Sequence, residues 1–177
     1  SRVRGSYSMN FIVAVDEQWN IGREGALLQP ISEDLKQFKA KTMNKTVVLG
    51  RKTLQTFPGA KPLKGRTNII LTRQEDFSAE DALICHSYDN LFQMLHSYCS
   101  EDIFVIGGGE IYAKLIPYCE IGYVTKIHKA YSADTSIPNL DQEPAWQIIK
   151  NEGTYHFKDD IYYSFLTYYN GMVLPIP

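Results

Sequence analysis

Short apolar, β-branched runs alternate along the chain with segments whose apolar residues recur every three or four positions. FIVAV (11–15), TVVLG (46–50), TNIILT (67–72), ALIC (82–85), IFVIG (103–107) and GYVTKI (122–127) are almost continuously hydrophobic. A strand covered on one face alternates apolar and polar residues; one covered on both faces does not. These runs therefore predict parallel strands buried between helices. The helical pattern fits 33–42, 51–57, 88–98 and 108–116. Two further strands, near 145–152 and 160–169, follow with no helix between them, and IYYSFLTYY alternates loosely, like one arm of an edge hairpin. The predicted class is α/β: an eight-stranded, mostly parallel central sheet with an antiparallel C-terminal hairpin, flanked by about four helices.

At 177 residues the chain suits one domain. That domain is expected over 9–170, with 1–8 (SRVRGSYS) a cloning remnant before a natural start at Met9 and 171–177 (GMVLPIP) carrying no usable pattern. A net charge of −2 offers no basic surface for nucleic acid or an acidic membrane. Cys85, Cys99 and Cys119 form no C-x-x-C pair, and an odd count argues against a disulfide framework, so they read as thiols in a reducing compartment. No apolar run approaches the roughly 18 residues that span a bilayer. The expectation is a cytoplasmic small-molecule protein with no nucleic-acid or membrane partner, and no exposed heptad pattern argues against a monomer.

In open α/β sheets, ligands bind beyond the carboxyl ends of strands. Three such ends carry telling residues. Gly107, Gly108 and Gly109 follow one strand, and glycine costs about 0.5–1 kcal/mol inside regular structure, so three together imply a tight turn or a close approach. A G-x-G-x-x-G fingerprint would need glycine where Tyr112 stands, so that motif fails. Gly50 ends a second strand, and Arg51, Lys52 and Thr53 open a helix there, a seat for a pyrophosphate. Leu71, Thr72 and Arg73 end a third. An arginine at such a position accommodates a ribose 2′-phosphate, where an acid would select the 2′-hydroxyl, so Arg73 points to NADPH.

The segment PISEDLKQFKAKT (30–42) reads as a helix with Ser32 as N-cap. Asp34 lies four residues before Phe38 and shares the face of the Leu35–Phe38 stripe, whereas Glu33 lies about 100° round the helix beside Lys36 and Gln37. Both acids also suit a simpler role, complementing the positive helix end. A buried carboxylate needs a partner, and a ligand with an amidine-like edge supplies one.

In order and spacing, AVDEQWNIG, SEDLKQFK, NKTVVLGRKT, PLKGRTNIILTR, VIGGGEIY and VTKI followed by ADT resemble the dihydrofolate reductase family, from about Met9 to Tyr169. The resemblance implies hydride transfer from NADPH to C6 of 7,8-dihydrofolate with protonation at N5, and binding of antifolate inhibitors. It implies a cis Gly107–Gly108 bond against the cofactor. It matches Asp34 to the acid that grips the pterin and Thr125 to the hydroxyl behind it, with Ile12, Ile106 and Tyr112 around the ring. Leu35, Phe38, Phe57 and Leu63 would enclose the benzoyl group, Arg66 would take the glutamate carboxylate, and Lys39 and Lys61 would assist. Ala14, Ile21 and Gly22 would meet the nicotinamide, Gly50 to Thr53 the phosphates, Leu71 to Arg73 the 2′-phosphate, and Gly107, Gly108, Gly109, Glu110, Ile111, Tyr112 and Lys114 the pyrophosphate and its neighbourhood. Asp134 and Thr135 would steady a mobile loop at about 20–31. One departure stands out: most of the family reads Pro-Trp where this chain has Leu28-Gln29, so Gln29 becomes a candidate for the lost indole donor. The rivals are a reductase of the same fold acting on a riboflavin-pathway pyrimidine and a catalytically dead binding protein.

Overall fold

A computed structural model describes residues 8–177. Its elements are β1 (Met9–Val15), β2 (Asn20–Arg23), β3 (Ala26–Leu27), α1 (Ser32–Thr42), β4 (Thr46–Gly50), α2 (Arg51–Gln55), β5 (Thr67–Leu71), β6 (Leu83–Cys85), α3 (Tyr88–Leu95), β7 (Ile103–Gly107), α4 (Gly109–Leu115), β8 (Cys119–Ile127), β9 (Thr135–Ser136), β10 (Trp146–Lys158) and β11 (Ile161–Asn170). Eight strands form one sheet in the order β10-β11-β8-β1-β7-β4-β5-β6. From β8 to β6 the neighbours are parallel, and β11 and β10 close that edge antiparallel.

The near-continuous hydrophobic runs are explained by cover on both faces. Phe11, Val13, Val48, Ile69 and Val105 enter one buried cluster, and Ile12, Val47, Leu49, Ile70, Phe104 and Ile106 enter another. Successive residues point to opposite faces, so each strand feeds both clusters. The tail that lacked a pattern docks on the first cluster through Ile176. The expected remnant at 1–8 lies outside the described residues except for Ser8, which is buried.

Several boundaries differ from the sequence reading. Ile31, not Ser32, is the N-cap of α1: it is extended and buried, it accepts the first helical bond from Leu35 N–H, and no side chain caps the helix. Burial of Ile31 beside Ile127 and Ile161 decides the entry, and Ser32 is left exposed. Helix α2 stops at Gln55 because Pro58 forces Phe57 into an extended conformation. Beyond Leu95, Ser97 and Tyr98 make three-residue turn bonds that do not extend α3. Strand β10 runs on to Lys158 through register shifts on either side of Gly153.

A second, three-stranded sheet of order β3-β2-β9 was not expected. Its β2–β3 turn, Glu24-Gly25, has φ of 51° and 78°, the left-handed values a two-residue hairpin demands. Asp134 locks this turn: its carboxylate accepts Glu24 N–H at 2.8 Å and its own N–H reaches Gly22 O at 3.1 Å. These bonds, with the Thr135 hydroxyl, hold the Asp134 carboxyl below the usual carboxylate range. The segment expected to be a mobile loop is thus tied to β9 in this structure.

Candidate active site

The carboxyl ends of β1, β4, β5 and β7 open onto one cleft of about 1670 Å³. Single small-molecule pockets occupy roughly 300–1,000 Å³, so this one has room for two ligands side by side. Of the expected residues, Ile12, Ala14, Ile21, Gly22, Asp34, Leu35, Phe38, Lys39, Gly50 to Thr53, Phe57, Leu63, Arg66, Leu71 to Arg73, Ile106 to Tyr112 and Thr135 all line it.

At one end, α1 presents Asp34 to the apolar wall made by Ile12, Phe38 and Ile106. The Thr125 hydroxyl, on β8 behind it, donates to Asp34 Oδ1. Burial pushes the Asp34 carboxyl above the usual carboxylate range, and the Thr125 bond opposes that shift. Among the described residues no Lys, Arg or His forms an ion pair with it. Glu33 faces water and pairs with Lys36 at 3.2 Å. Leu35 is 48% exposed to the open cleft.

Arg66 forms part of the same end. Its Nη1 donates to Thr42 Oγ1 at 3.2 Å, and the Thr42 hydroxyl in turn donates to Phe38 O at 2.8 Å. The buried Arg66 Nε has no acceptor among the described residues. The Tyr112 hydroxyl donates to Ile12 O at 2.7 Å, leaving that carbonyl its second lone pair. Burial, and the nearby Asp34 charge, raise the Tyr112 phenol's pKa.

At the other end stand the glycines. Gly107–Gly108 is a cis peptide bond. A Cβ on Gly107, whose φ is +125°, would meet the Tyr112 ring at 3.2 Å, and one on Gly108 would meet Thr53 Oγ1 at 3.1 Å. A Cβ on Gly109 would lie 2.6 Å from Thr135 Cγ2. The protein's own side chains already crowd these three positions. The bare backbone beside Arg51, Lys52 and Thr53 forms a cationic cradle at the cleft floor.

Four of the expected residues, Lys61, Lys114, Thr125 and Gln29, do not line the cleft. Lys61 is not a lining residue; its aliphatic stem folds back to 3.6 Å from where a Gly59 Cβ would be. Lys114, in the last turn of α4, sits with its ammonium 5.4 Å from the Tyr88 ring, outside the lining. Thr125 acts through Asp34 from the second layer. Gln29 borders a separate void of about 10 Å³ that it shares with Asp34, Leu27 and Leu28, and its Nε2 donates to Pro30 O at 3.0 Å. Missed lining residues include Gln74, His86, Ser87 and Tyr88. Cys85 ends β6, so the strand-end rule applied a fourth time reaches His86 and its neighbours.

Among the described residues, no group of three His, Cys, Asp or Glu side chains would hold a metal, and no helix is long and apolar enough to cross a membrane.

Comparison with known proteins matches this geometry. Residues 8–170 fit the family model described as dihydrofolate reductase. The chain is 34% identical over 160 residues to the dihydrofolate reductase of Staphylococcus haemolyticus, covering 90% of this chain and 94% of that one. It is 36% identical over 147 residues to the bifunctional dihydrofolate reductase-thymidylate synthase of Glycine max, covering 73% of this chain but 28% of that protein. Among solved structures, dihydrofolate reductase from Enterococcus faecalis, complexed with NADP(H) and RAB-propyl, aligns with a TM-score of 0.80 at 36% identity over 92% of this chain and 96% of that one. By its sequence, its sheet order and the residues that line its cleft, the chain belongs to the dihydrofolate reductase family of oxidoreductases.

Proposed function

We propose that the chain reduces 7,8-dihydrofolate to 5,6,7,8-tetrahydrofolate with NADPH, by hydride transfer to pterin C6 and protonation at N5. The observation that carries this reading is Asp34, a largely buried carboxylate with a hydroxyl behind it and no cation beside it. The 2-amino group and N3 of a pterin give that carboxylate two charge-assisted bonds. Thr125 fixes the carboxylate plane, and Ile12 O faces the pterin's far edge. Phe38, Phe57 and Leu63 bury the benzoyl ring, and Arg66, which lines the same end of the cleft, takes the α-carboxylate.

The other half of the cleft fits a phosphorylated dinucleotide: a glycine cradle, two cations and a hydroxyl at 51–53, and Thr72 with Arg73 at the next strand end. NADPH, when bound, supplies the hydride. No other acid or base of the expected set stands beside Asp34, so a water delivers the N5 proton while the Asp34 charge favours its arrival. The test is dihydrofolate-dependent oxidation of NADPH, with Asp34→Asn as control. Turnover by the parent and its loss in the variant support the reading; NADPH oxidation with no need for dihydrofolate overturns it.

A further inference from the structure

The corner of the cleft beyond β5 carries two determinants of opposite sense. Arg73 Nη2 lies 3.4 Å from Glu110 Oε1, and both side chains line the cleft. They are 90% and 74% exposed, so each reaches a ligand without rearranging the core. Tyr88 lines the same part of the cleft: burial raises its phenol pKa, the Glu110 charge adds to that shift and the Arg73 charge opposes it. In dinucleotide sites an arginine accommodates a ribose 2′-phosphate, whereas an acidic side chain accepts the hydrogen bond of an unsubstituted 2′-hydroxyl. Here one site holds both.

We propose that Glu110 sets the cofactor preference of this chain, holding down its selectivity for a 2′-phosphorylated dinucleotide over the unphosphorylated one. The inference rests on the dinucleotide reading of the cleft given above. A 2′-phosphomonoester carries about −1.5 to −2 charges at pH 7. To reach Arg73 it displaces the Glu110 carboxylate and then remains beside it as a like charge. A 2′-hydroxyl meets neither obstacle, since it donates to Glu110 and leaves the ion pair in place. Exposed ion pairs are individually weak, so Glu110 tunes the preference without abolishing binding.

The probes are 2′,5′-ADP and 5′-ADP, titrated calorimetrically into the intact chain, which separates the ribose contact from turnover. Glu110→Gln removes the charge and keeps the shape. The expected result is 2′,5′-ADP binding about 2–5-fold tighter in the variant, the range a surface charge contact spans, with 5′-ADP unchanged or weaker. Raising ionic strength should shrink the gain. An unchanged affinity ratio overturns the proposal. So does weaker 2′,5′-ADP binding in Glu110→Gln, which would mean that the carboxylate orients Arg73 for the phosphate. If neither probe nor NADPH binds the parent, the dinucleotide reading falls and takes this inference with it.

Discussion

The Thr125 hydroxyl donates to the Asp34 carboxylate across 91 residues of sequence, joining the first turn of α1 to the sheet strand β8. Burial raises the Asp34 pKa and this bond only partly offsets it, so the native chain holds the proton to higher pH than the unfolded chain does. Protons bound in excess by the native state make stability fall as pH rises through the raised value. The carboxylate is therefore kept at some expense of stability. Asp34→Asn, neutral at every pH, should match or exceed the parent's Tm at pH 7, and the difference should vanish in acid where Asp34 is itself neutral. Hydride transfer by the variant should fall by orders of magnitude at pH 7 and recover partly in acid, where the substrate arrives protonated. Melting curves and single-turnover rates at pH 5 and 7 check both halves; near-parental activity at pH 7 would remove Asp34 from the chemistry.

Arg66 tests the other end of the same ligand. Its buried Nε lacks an acceptor, and Thr42 accepts from its Nη1, so the guanidinium does little to hold the fold together. Arg66→Ala should keep a near-parental Tm. A lost hydrogen bond to a charged group costs about 1.5–3 kcal/mol, so KM for dihydrofolate should rise by roughly 10–100-fold. A pterin substrate lacking the glutamate should lose less than threefold, because Arg66 meets only the tail. Equal losses for both would make Arg66 a wall of the pocket.

The central sheet was legible because its strands are short, continuous, β-branched runs set between helical patterns, as strands covered on both faces are; their order in the sheet was not, since no run carries a mark of its neighbour. Asp34 was legible because its spacing from Phe38 puts the two on one helical face. The β3-β2-β9 sheet was not, since two- and four-residue strands are too short to show a period; only the turn residues Glu24-Gly25 mark it. Lys61 and Lys114, which the family resemblance implied, lie outside the cleft lining, since a resemblance matches a backbone position and a long flexible stem follows whatever apolar surface lies nearby. Ser32 lost the cap to Ile31 because burying isoleucine outweighs a capping bond worth about 1 kcal/mol.

Gly109 and Thr135 couple the cofactor half of the cleft to the small sheet. A Cβ at 109 would come within 2.6 Å of Thr135 Cγ2, and Thr135 pairs with Gly22 across β9 and β2. Gly109→Ala should therefore cost about 1–3 kcal/mol as an overpacked site. Thr135→Ser deletes the colliding methyl but keeps the hydroxyl that bonds Asp134. The double variant should recover most of the loss, giving a coupling energy of about 1 kcal/mol or more in a denaturation cycle. Additive effects would show that Gly109 is required by its backbone alone.

Gln29 stands where the family resemblance implies an aromatic donor, and we propose that it holds the proton-delivering water. It borders a void of about 10 Å³ with Asp34, Leu27 and Leu28. That volume is about what one water needs, and the Asp34 carboxylate supplies one of its polar partners. One Gln29 amide hydrogen is spent on Pro30 O at 3.0 Å, and the second remains to reach the void. Leu28 lines the same space. Gln29→Leu should slow hydride transfer roughly tenfold, one hydrogen bond's worth at about 1.4 kcal/mol. Affinity for NADPH should stay within twofold, because Gln29 does not line the main cleft. Gln29→Glu, which offers a charged acceptor beside Asp34, should shift the acid limb of the rate profile upward, since two adjacent carboxylates hold a proton more tightly than one. Single-turnover rates across pH decide it: a Gln29→Leu rate within twofold of the parent at every pH places the side chain outside the reaction.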